Sequence, residues 1–245
     1  MNDSNLPVPG SDAPVSEPVA PAPEFTPQPS QYNLQENLVY MFRDKDWLSK
    51  ILVGALVGIV PVLNFATAGY AVQATRNIRD DQTPPLPQWS NSIGKFFAEG
   101  LKLFVISVLY GIPIWILSLI LIPIFSSDSG VAIAFGVLIG LVELVLALLL
   151  VFWLQGVIVN FANKGTIGSG FEFGNIWAIV RLNMGRMLVA LGVAFLAGIL
   201  VSVVSAILGI IPCFGWIIAW LISFAAAFYI LLVFAYNCGH IAKSS

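Results

Sequence analysis

A stretch of sixty-one residues, Leu103–Asn163, contains only two charged side chains, Asp128 and Glu143. A polar interruption around Asp128 divides it into two apolar runs, Leu103–Phe125 and Val131–Phe161. A hydrocarbon core of ~30 Å is crossed by about 20 helical residues, and both runs are longer than that. The sequence therefore predicts an integral membrane protein with a helical hairpin at its centre.

Composition separates this chain from soluble domains. Hydrophobic residues make up 58% and charged residues 10% of its 245 positions, whereas soluble domains have about 25% charged residues. The basic side chains lie at the ends of apolar runs and never alternate with aromatic residues in a solvated block, so no nucleic-acid partner is expected. The lipid bilayer is the first predicted partner of the chain.

The sequence contains no group of residues that predicts catalysis or metal binding. Cys213 and Cys238 lie at opposite ends of one apolar run, too far apart for a disulfide along a helix that rises ~1.5 Å per residue. His240 is the only histidine, and no cysteine–histidine spacing typical of a metal site is present. We expect no cofactor and no enzymatic activity.

Residues 1–31 form a proline-rich tail that contains eight of the fifteen prolines. A segment with so few large apolar side chains cannot offset its ordering entropy, so we expect a disordered tail. We prefer a solvated spacer to a docking segment for a groove-type partner. The tail has no basic region followed by an apolar region, as a secretory signal would.

The membrane domain predicted at residues 32–245 begins with a short amphipathic helix. Asn33 and Glu36 resemble a capping box, and four apolar side chains follow on one helical face. These are Leu34, Leu38, Met41 and Phe42. We expect this helix to lie on the membrane surface, with Trp47 and Lys50 at the headgroup boundary.

A proline interrupts the first apolar run, Ile51–Thr75, within a predicted unit of residues 32–82. Two structures are compatible with this pattern. The run is either one kinked span or two half-helices, Leu48–Val60 and Val62–Thr75, that re-enter the membrane with Pro61 at the tip. Each half-helix would be ~20 Å long, which is too short to cross a bilayer.

The distribution of basic residues favours the re-entrant form. If the first run spans the membrane, Arg43, Lys45 and Lys50 lie opposite the other eight basic residues. If it re-enters, all eleven lie on one side, and the turns around Asp128 and Cys213 on the other side have none. Because Lys and Arg concentrate on the cytoplasmic side of membrane proteins, we expect the second arrangement.

Two similar hairpin units follow, at residues 88–165 and 171–245. In each unit an amphipathic segment leads into a span, a proline-containing turn and a second span. The turn sequence ILIPIF at residues 120–125 matches GIIPCF at residues 209–214, and two crossings per unit make the predicted repeats parallel. The predicted fold is all-α, with four full transmembrane helices in two tandem hairpins and a Pro61-broken first helix.

Tryptophans mark the predicted membrane interface. Trp89 begins an amphipathic helix that we expect to lie on the surface before the first full span, and Trp177 has a similar position before the third. Together with Trp47 they are interpreted as interfacial anchors, because indole rings favour the headgroup region.

A family resemblance rests on residues in the first third of the chain. They are Tyr40, Phe42, Arg43, Asp44, Asp46, Trp47, Leu48, Lys50, Ile51 and Leu52, then Pro61, Gly69, Tyr70, Leu86, Pro87 and Trp89. With this pattern the chain resembles the uncharacterised prokaryotic membrane family called domain of unknown function 4013, over residues 38–242. The resemblance implies a multi-pass prokaryotic membrane protein and transfers no activity or site residue.

Glu143 is the strongest candidate for a functional residue inside the membrane. An ionised carboxylate at this depth costs about 3 kcal/mol on insertion scales. The side chain is either a proton or cation site facing the bundle interior, or a structural group bonded to a hydroxyl or an amide of a neighbouring helix. We prefer the structural alternative, because transporters usually have several such groups.

Pro61 and Asn64 define a second candidate. The tip of a re-entrant hairpin leaves carbonyl groups free, and these can coordinate a solute. We prefer the alternative that Asn64 satisfies the backbone groups that the proline frees.

The preferred function is that of a non-enzymatic scaffold or accessory protein that organises lipid or a partner complex. Its partner would be another membrane protein or further copies of the chain. The alternative is a small transporter or channel for a solute or an ion, using Glu143 and the Pro61 region. In either case we expect the prokaryotic cytoplasmic (inner) membrane, with both termini on the cytoplasmic side.

Overall fold

The computed structural model describes residues 34–90, 92–127, 129–212 and 214–244. The predicted tail, the capping residue Asn33 and the turn residues Asp128 and Cys213 lie outside the described residues. The described residues form seven α-helices and two short 3-10 helices. The α-helices are α1 (Leu34–Val39), α2 (Trp47–Ile59), α3 (Asn64–Arg79), α4 (Ile93–Phe125), α5 (Gly130–Lys164), α6 (Phe173–Gly209) and α7 (Phe214–Ser244), and the 3-10 helices are Tyr40–Arg43 and Ile167–Phe171.

Four of these helices, α4 to α7, are long and apolar enough to cross a membrane. They have 33, 35, 37 and 31 residues, compared with the ~20 that a hydrocarbon core needs. Their apolar side chains are largely exposed, and no residue is buried in the most apolar 18-residue window of α5. Such a surface is stable only against lipid or another apolar surface. The prediction of an all-α membrane protein with four spanning helices is confirmed.

One end of the bundle contains most of the described charged side chains. Arg76 at the end of α3 pairs with Glu99 of α4 at 2.8 Å. Lys243 at the end of α7 pairs with Asp81, just after α3, and Lys164 at the end of α5 pairs with the carboxylate that precedes α6. Helices α3, α5 and α7 therefore end where α4 and α6 begin. We call this the charged end, and the opposite end the far end.

The Pro61-containing run forms two short helices rather than one kinked span. Helix α2 ends at Ile59, and α3 begins at Asn64 after a turn that contains Pro61. Proline lacks the N–H needed to continue a helix, and its ring clashes with the preceding turn. The backbone N–H of Asn64 donates to the Val60 carbonyl at 2.9 Å, which closes the turn.

These two helices form a hairpin that begins and ends at the charged end. An added Cβ at Gly54 would contact the Phe228 ring, and one at Gly58 would lie 3.6 Å from Phe224, so α2 runs antiparallel to α7. Gly58, near the tip of the hairpin, is level with Phe224, and Phe224 lies about 15 Å along α7 from its beginning at Phe214. Two short helices that begin and end at the same end of the bundle, with Pro61 at the tip, have the geometry predicted for a re-entrant hairpin.

Helix α3 is the central element of the charged half. Its neighbours are α2, α4, α5 and α7, and ten of its residues are buried. Two glycines allow the backbones of α3 and α4 to touch. An added Cβ at Gly69 would lie 1.7 Å from the Phe96 carbonyl oxygen, and one at Gly100 would lie 1.7 Å from that of Phe65.

In the far halves, α4 of the first hairpin (α4 and α5) does not pack against the second hairpin (α6 and α7). Within the described residues, no Cα atom of α4 lies within 8 Å of a Cα atom of α2, α6 or α7. Burial in the far halves is confined to a few positions, with Leu121 and Gly136 near one turn and Gly215 and Ala219 near the other. Most of the far-half surface is therefore apolar and exposed.

The later amphipathic segments are not separate interfacial helices, which corrects the expectation. Helix α4 begins at Ile93 and continues unbroken into the span, and α6 does the same with one non-helical residue, Asn183. The physical reason is burial in protein. Phe96 is 1% exposed, and Ile176 packs where an added Cβ at Gly156 of α5 would lie 3.2 Å away.

The first amphipathic segment is present as α1 and the following 3-10 helix, but it packs on protein. Met41 is fully buried, and the Tyr40 hydroxyl donates to the Leu232 carbonyl of α7 at 2.9 Å. Glu36 pairs with Arg43 at 2.9 Å.

Candidate functional site

The connector between α3 and α4 organises a buried polar cluster at the charged end. Its prolines impose an extended backbone, so its carbonyl groups have no helical donors. Three successive carbonyls accept side-chain hydrogen bonds instead: Pro85 from Asn77 (3.0 Å), Leu86 from Lys50 (2.8 Å) and Pro87 from Tyr70 (2.9 Å). We call Asp44, Lys50, Tyr70, Pro87 and Trp89 the connector cluster.

An ion pair lies at the base of the connector cluster. The Lys50 ammonium donates to Asp44 Oδ2 at 2.6 Å, and each side chain is only 3% exposed. The second Asp44 oxygen accepts from the Asp46 amide at 3.0 Å. Buried charges are tolerated only when they are paired and hydrogen-bonded, as these are. Lys50 is therefore an internal residue, and its expected position at the headgroup boundary is wrong.

Trp89 is also internal. Its ring stacks on Tyr70 with centroids 4.4 Å apart and an angle of 19° between the planes. Its indole nitrogen donates to the Lys50 carbonyl at 3.0 Å, and the residue is 6% exposed. The interpretation of Trp89 as a lipid-facing anchor is wrong, because the connector folds back over α2 and α3 and buries the ring.

The other two predicted anchors have different surroundings. Trp177 is 54% exposed on α6, as an interfacial side chain would be. Trp47 is half-buried, with its ring edge-on to Phe42 and the centroids 4.7 Å apart. Their anchoring role stays a prediction.

Glu172 joins α5 to α6 at the charged end. Its carboxylate accepts from Lys164, from Asn160 Nδ2 at 3.0 Å and from Asn175 Nδ2 at 2.7 Å. The bond from Lys164, followed by those from the two amides, lowers the pKa of Glu172 to about 2. The contact therefore favours the ionised carboxylate.

Glu143 lies in the far half of α5 and is half-buried. It is hydrogen-bonded to the Ser118 hydroxyl of α4, and Ser118 Oγ also contacts the Ile114 carbonyl at 3.1 Å. This arrangement has the form of the structural alternative, a carboxyl group bonded to a hydroxyl of a neighbouring helix. A transport role for Glu143 stays a prediction.

Pro61 and Asn64 both lie at the exposed tip of the α2–α3 hairpin. Asn64 Oδ1 accepts from the Thr67 hydroxyl at 3.0 Å. The adjacent cavity of about 200 Å³ is bounded by α2, α3 and α7, with Gly58 and Phe224 in its lining. The structure thus brings Pro61 and Asn64 together, whereas the described contact of Glu143 is made within the α4–α5 hairpin.

Two clefts open at the charged end. One of about 490 Å³ lies between the beginnings of α2 and α4, and it is lined by Asp46, Ser49, Lys50, Val53, Gln88, Trp89, Ser90 and Ile93. We call it the α2–α4 cleft. The other, of about 420 Å³, lies between α1, the connector and the end of α7, with Glu36, Arg43, Asp81 and His240 in its lining.

The remaining polar and sulfur-containing groups of the described residues have structural surroundings. Among them, no set of three or more His, Cys, Asp or Glu side chains is placed to hold a metal ion. Cys238 is buried, and the His240 ring lies against Tyr236 with centroids 4.4 Å apart. The ionic groups of the charged end mainly hold helices to one another.

Comparison with known families gives one match. The model of the family described as "Protein of unknown function (DUF4013)" matches residues 52–210. The chain belongs to this family. The DUF4013 match is shorter than the resemblance over residues 38–242, since it begins inside α2 and ends immediately after α6. No curated protein and no solved structure matches the chain.

The connector cluster joins residues on both sides of the start of the matched DUF4013 segment. Lys50 precedes residue 52 but binds the matched connector at Leu86 and Trp89, and Asp44 is joined to the connector through Lys50. Sequence reasoning missed the buried pair because a lysine at the start of an apolar run is usually interfacial. The available signal was the proline-rich connector, whose free carbonyls need donors from elsewhere in the chain.

Proposed function

We propose that this chain is a non-enzymatic membrane scaffold that organises lipid or a partner complex. The observation that carries the proposal is that, within the described residues, no Cα atom of α4 lies within 8 Å of one in α6 or α7. The two hairpins meet through α4 near the charged end, where the Tyr110 ring contacts that of Phe173. The far halves of the hairpins therefore present wide apolar faces, and Leu196 and Leu200 of α6, for example, are 66% and 65% exposed. In a membrane such faces pack against lipid tails or against another apolar helix.

The charged end supports the same proposal. Arg76 binds Glu99 of α4 and the Ala162 carbonyl of α5 (2.9 Å), and Arg79 binds Asn163 (3.0 Å). These contacts fix the charged end of the α4–α5 hairpin relative to α3, and Lys243 of α7 pairs with Asp81, just after α3. A scaffold needs such a rigid base so that its exposed faces keep one arrangement.

We also propose that the membrane is the prokaryotic cytoplasmic membrane, with the charged end on the cytoplasmic side. The support is the excess of Lys and Arg near that end, since basic residues concentrate in cytoplasmic segments. Both α1 and the end of α7 lie there, so both termini would be cytoplasmic.

The test reconstitutes the protein in lipid discs and measures acyl-chain order and disc shape, with cross-linked partners identified in parallel after gentle solubilisation. The variant Leu196→Ser/Leu200→Ser changes the far face of α6. The control Leu182→Ser changes an exposed apolar residue nearer the charged end (77% exposed). We expect the far-face variant to lose most of the lipid or partner effect and the control to keep it. Unchanged bilayers together with no specific partner for the wild type would refute the scaffold.

A transporter is the second candidate, favoured by the hairpin tip that ends partway along α7. Asn64 and its cavity lie at that tip, and Glu143 lies in a separate span. Flux of protons and alkali cations into vesicles containing wild type, Glu143→Gln or the surface control Asp80→Asn tests this candidate. Wild-type flux at the background level of empty vesicles would eliminate it for these ions.

A further inference from the structure

We infer that the α2–α4 cleft binds a phospholipid whose headgroup carries a primary ammonium, of the phosphatidylethanolamine type. This inference rests on the proposed scaffold function, because it names the lipid class that the scaffold holds. The supporting observations are the cleft itself, the charges in its lining and the separation of α2 from α4.

The cleft has the two-part character that a phospholipid requires. Its mouth at the charged end is polar, with exposed Asp46, Ser49, Gln88 and Ser90. Its walls include the apolar side chains Val53 and Ile93. At about 490 Å³ the cleft falls within the usual size range for small-molecule sites.

Both helices carry exposed apolar side chains beyond the cleft. Within the described parts of α2 and α4, no pair of Cα atoms lies within 8 Å. Leu56 of α2 is 60% exposed and Phe104 of α4 is 45% exposed. An acyl chain below the headgroup therefore has apolar side chains on both flanking helices.

Asp46 supplies the acceptor for an ammonium. It is the one carboxylate outside the spanning helices, among the described residues, that forms no ion pair. A primary ammonium can donate hydrogen bonds to this carboxylate, whereas the quaternary ammonium of a choline headgroup cannot. A headgroup with a net negative charge would be repelled.

The phosphate has donors in the same cleft. The hydroxyls of Ser49 and Ser90, which are exposed in the lining, donate to the phosphate oxygens. The cleft thus offers a negative group for the ammonium and donors for the phosphate, which matches a zwitterionic headgroup.

The experiment measures lipid retention by native mass spectrometry of the full chain, released from detergent after incubation with one lipid at a time. The three lipids have identical acyl chains and ethanolamine, choline or glycerol headgroups. We expect the ethanolamine lipid to be retained about tenfold better than the other two, which corresponds to about 1.4 kcal/mol. Equal retention of the three lipids by the wild type would overturn the inference.

Two matched pairs of variants assign any preference to the cleft. Asp46→Asn is expected to lower ethanolamine-lipid retention about tenfold, whereas Asp80→Asn, an exposed carboxylate outside the cleft, is expected to leave it unchanged. Ser49→Trp fills the cleft and is expected to abolish retention, whereas Leu48→Trp, at the adjacent exposed position (53%), is not. A preference that survives Asp46→Asn would overturn the inference. If gel filtration shows that Ser49→Trp is misfolded, the comparison of Asp46→Asn with Asp80→Asn decides by itself.

The disc and cross-linking measurements of the scaffold do not depend on headgroup class. A positive scaffold result together with no ethanolamine preference overturns this inference and leaves the proposed function intact. The reverse result, a headgroup preference without any effect on bilayers or partners, overturns the scaffold and leaves a lipid-binding site.

Discussion

The Lys50 ammonium and the Asp44 carboxylate are 2.6 Å apart and almost completely shielded from solvent. This pair links the residues just before α2 to the beginning of that helix. A second hydrogen bond from the Lys50 ammonium, to the Leu86 carbonyl, fixes the connector. Each charge is stable in this position because the other is present. Residues 44–89 are thus held by polar contacts as well as by apolar packing.

Removing one member of this pair should destabilise the protein strongly. We expect Lys50→Met to lower the free energy of unfolding by about 3 kcal/mol, because it leaves the Asp44 carboxylate buried without a partner. The double variant Asp44→Asn/Lys50→Met should lose less than the single variant. Denaturant-induced unfolding in mixed micelles measures both, with the exposed Lys45→Met as the control. Equal losses for Lys50→Met and Lys45→Met would contradict the buried ion pair.

The contact between α3 and α4 should depend on Gly69. A Cβ at this position would lie 1.7 Å from the Phe96 carbonyl oxygen, so Gly69→Ala must push the two backbones apart. We expect a loss of about 2 kcal/mol in the free energy of unfolding. The control is Gly140→Ala, because nothing lies within 4 Å of a Cβ added there. A Gly69→Ala variant as stable as the control would refute the backbone contact.

Because Trp89 is buried, its substitution should lower stability more than substitution of an exposed tryptophan. Trp89→Phe keeps an aromatic ring but removes the bond to the Lys50 carbonyl, and we expect it to cost about 1 kcal/mol of stability. Trp177→Phe, on the exposed surface of α6, should be close to neutral. Thermal unfolding followed by circular dichroism compares the two. Equal effects would restore the interfacial interpretation of Trp89.

Glu172 should make stability depend on acid pH. Its pKa in the folded protein, about 2, is below the ordinary value of 4.5. The carboxylate therefore contributes stability that is fully present above about pH 4.5 and is lost as the pH falls toward about 2. The difference in melting temperature between wild type and Glu172→Gln should be present at neutral pH and shrink across this window. A difference that is constant from neutral pH to pH 2 would refute the contact with Lys164.

The spanning helices were predictable because apolar length alone determines them. The break at Pro61 was predictable from the chemistry of proline, and the charge distribution favoured the re-entrant form. The burial of Trp89 and Lys50 was not predictable in this way. It depends on where the connector folds, and that is decided by contacts between residues far apart in the sequence, such as Lys50 with Leu86.

The same limit applies to the candidate site. Glu143 was identifiable as a costly carboxylate in a span, but its bond to Ser118 depends on the rotation of α4 against α5. The α2–α4 cleft had no sequence signal, because it arises where two helices fail to meet.

The Pro61 hairpin is expected to enter and leave the membrane on one side, and the two long hairpins to turn on the opposite side. Single cysteines at Lys45, Gln82 and Ser129, introduced after both native cysteines are replaced by serine, test this arrangement with a membrane-impermeant thiol reagent in sealed vesicles of known orientation. We predict that positions 45 and 82 are labelled from one face and position 129 only from the other. Labelling of positions 45 and 82 from opposite faces, or of positions 82 and 129 from the same face, would contradict this account.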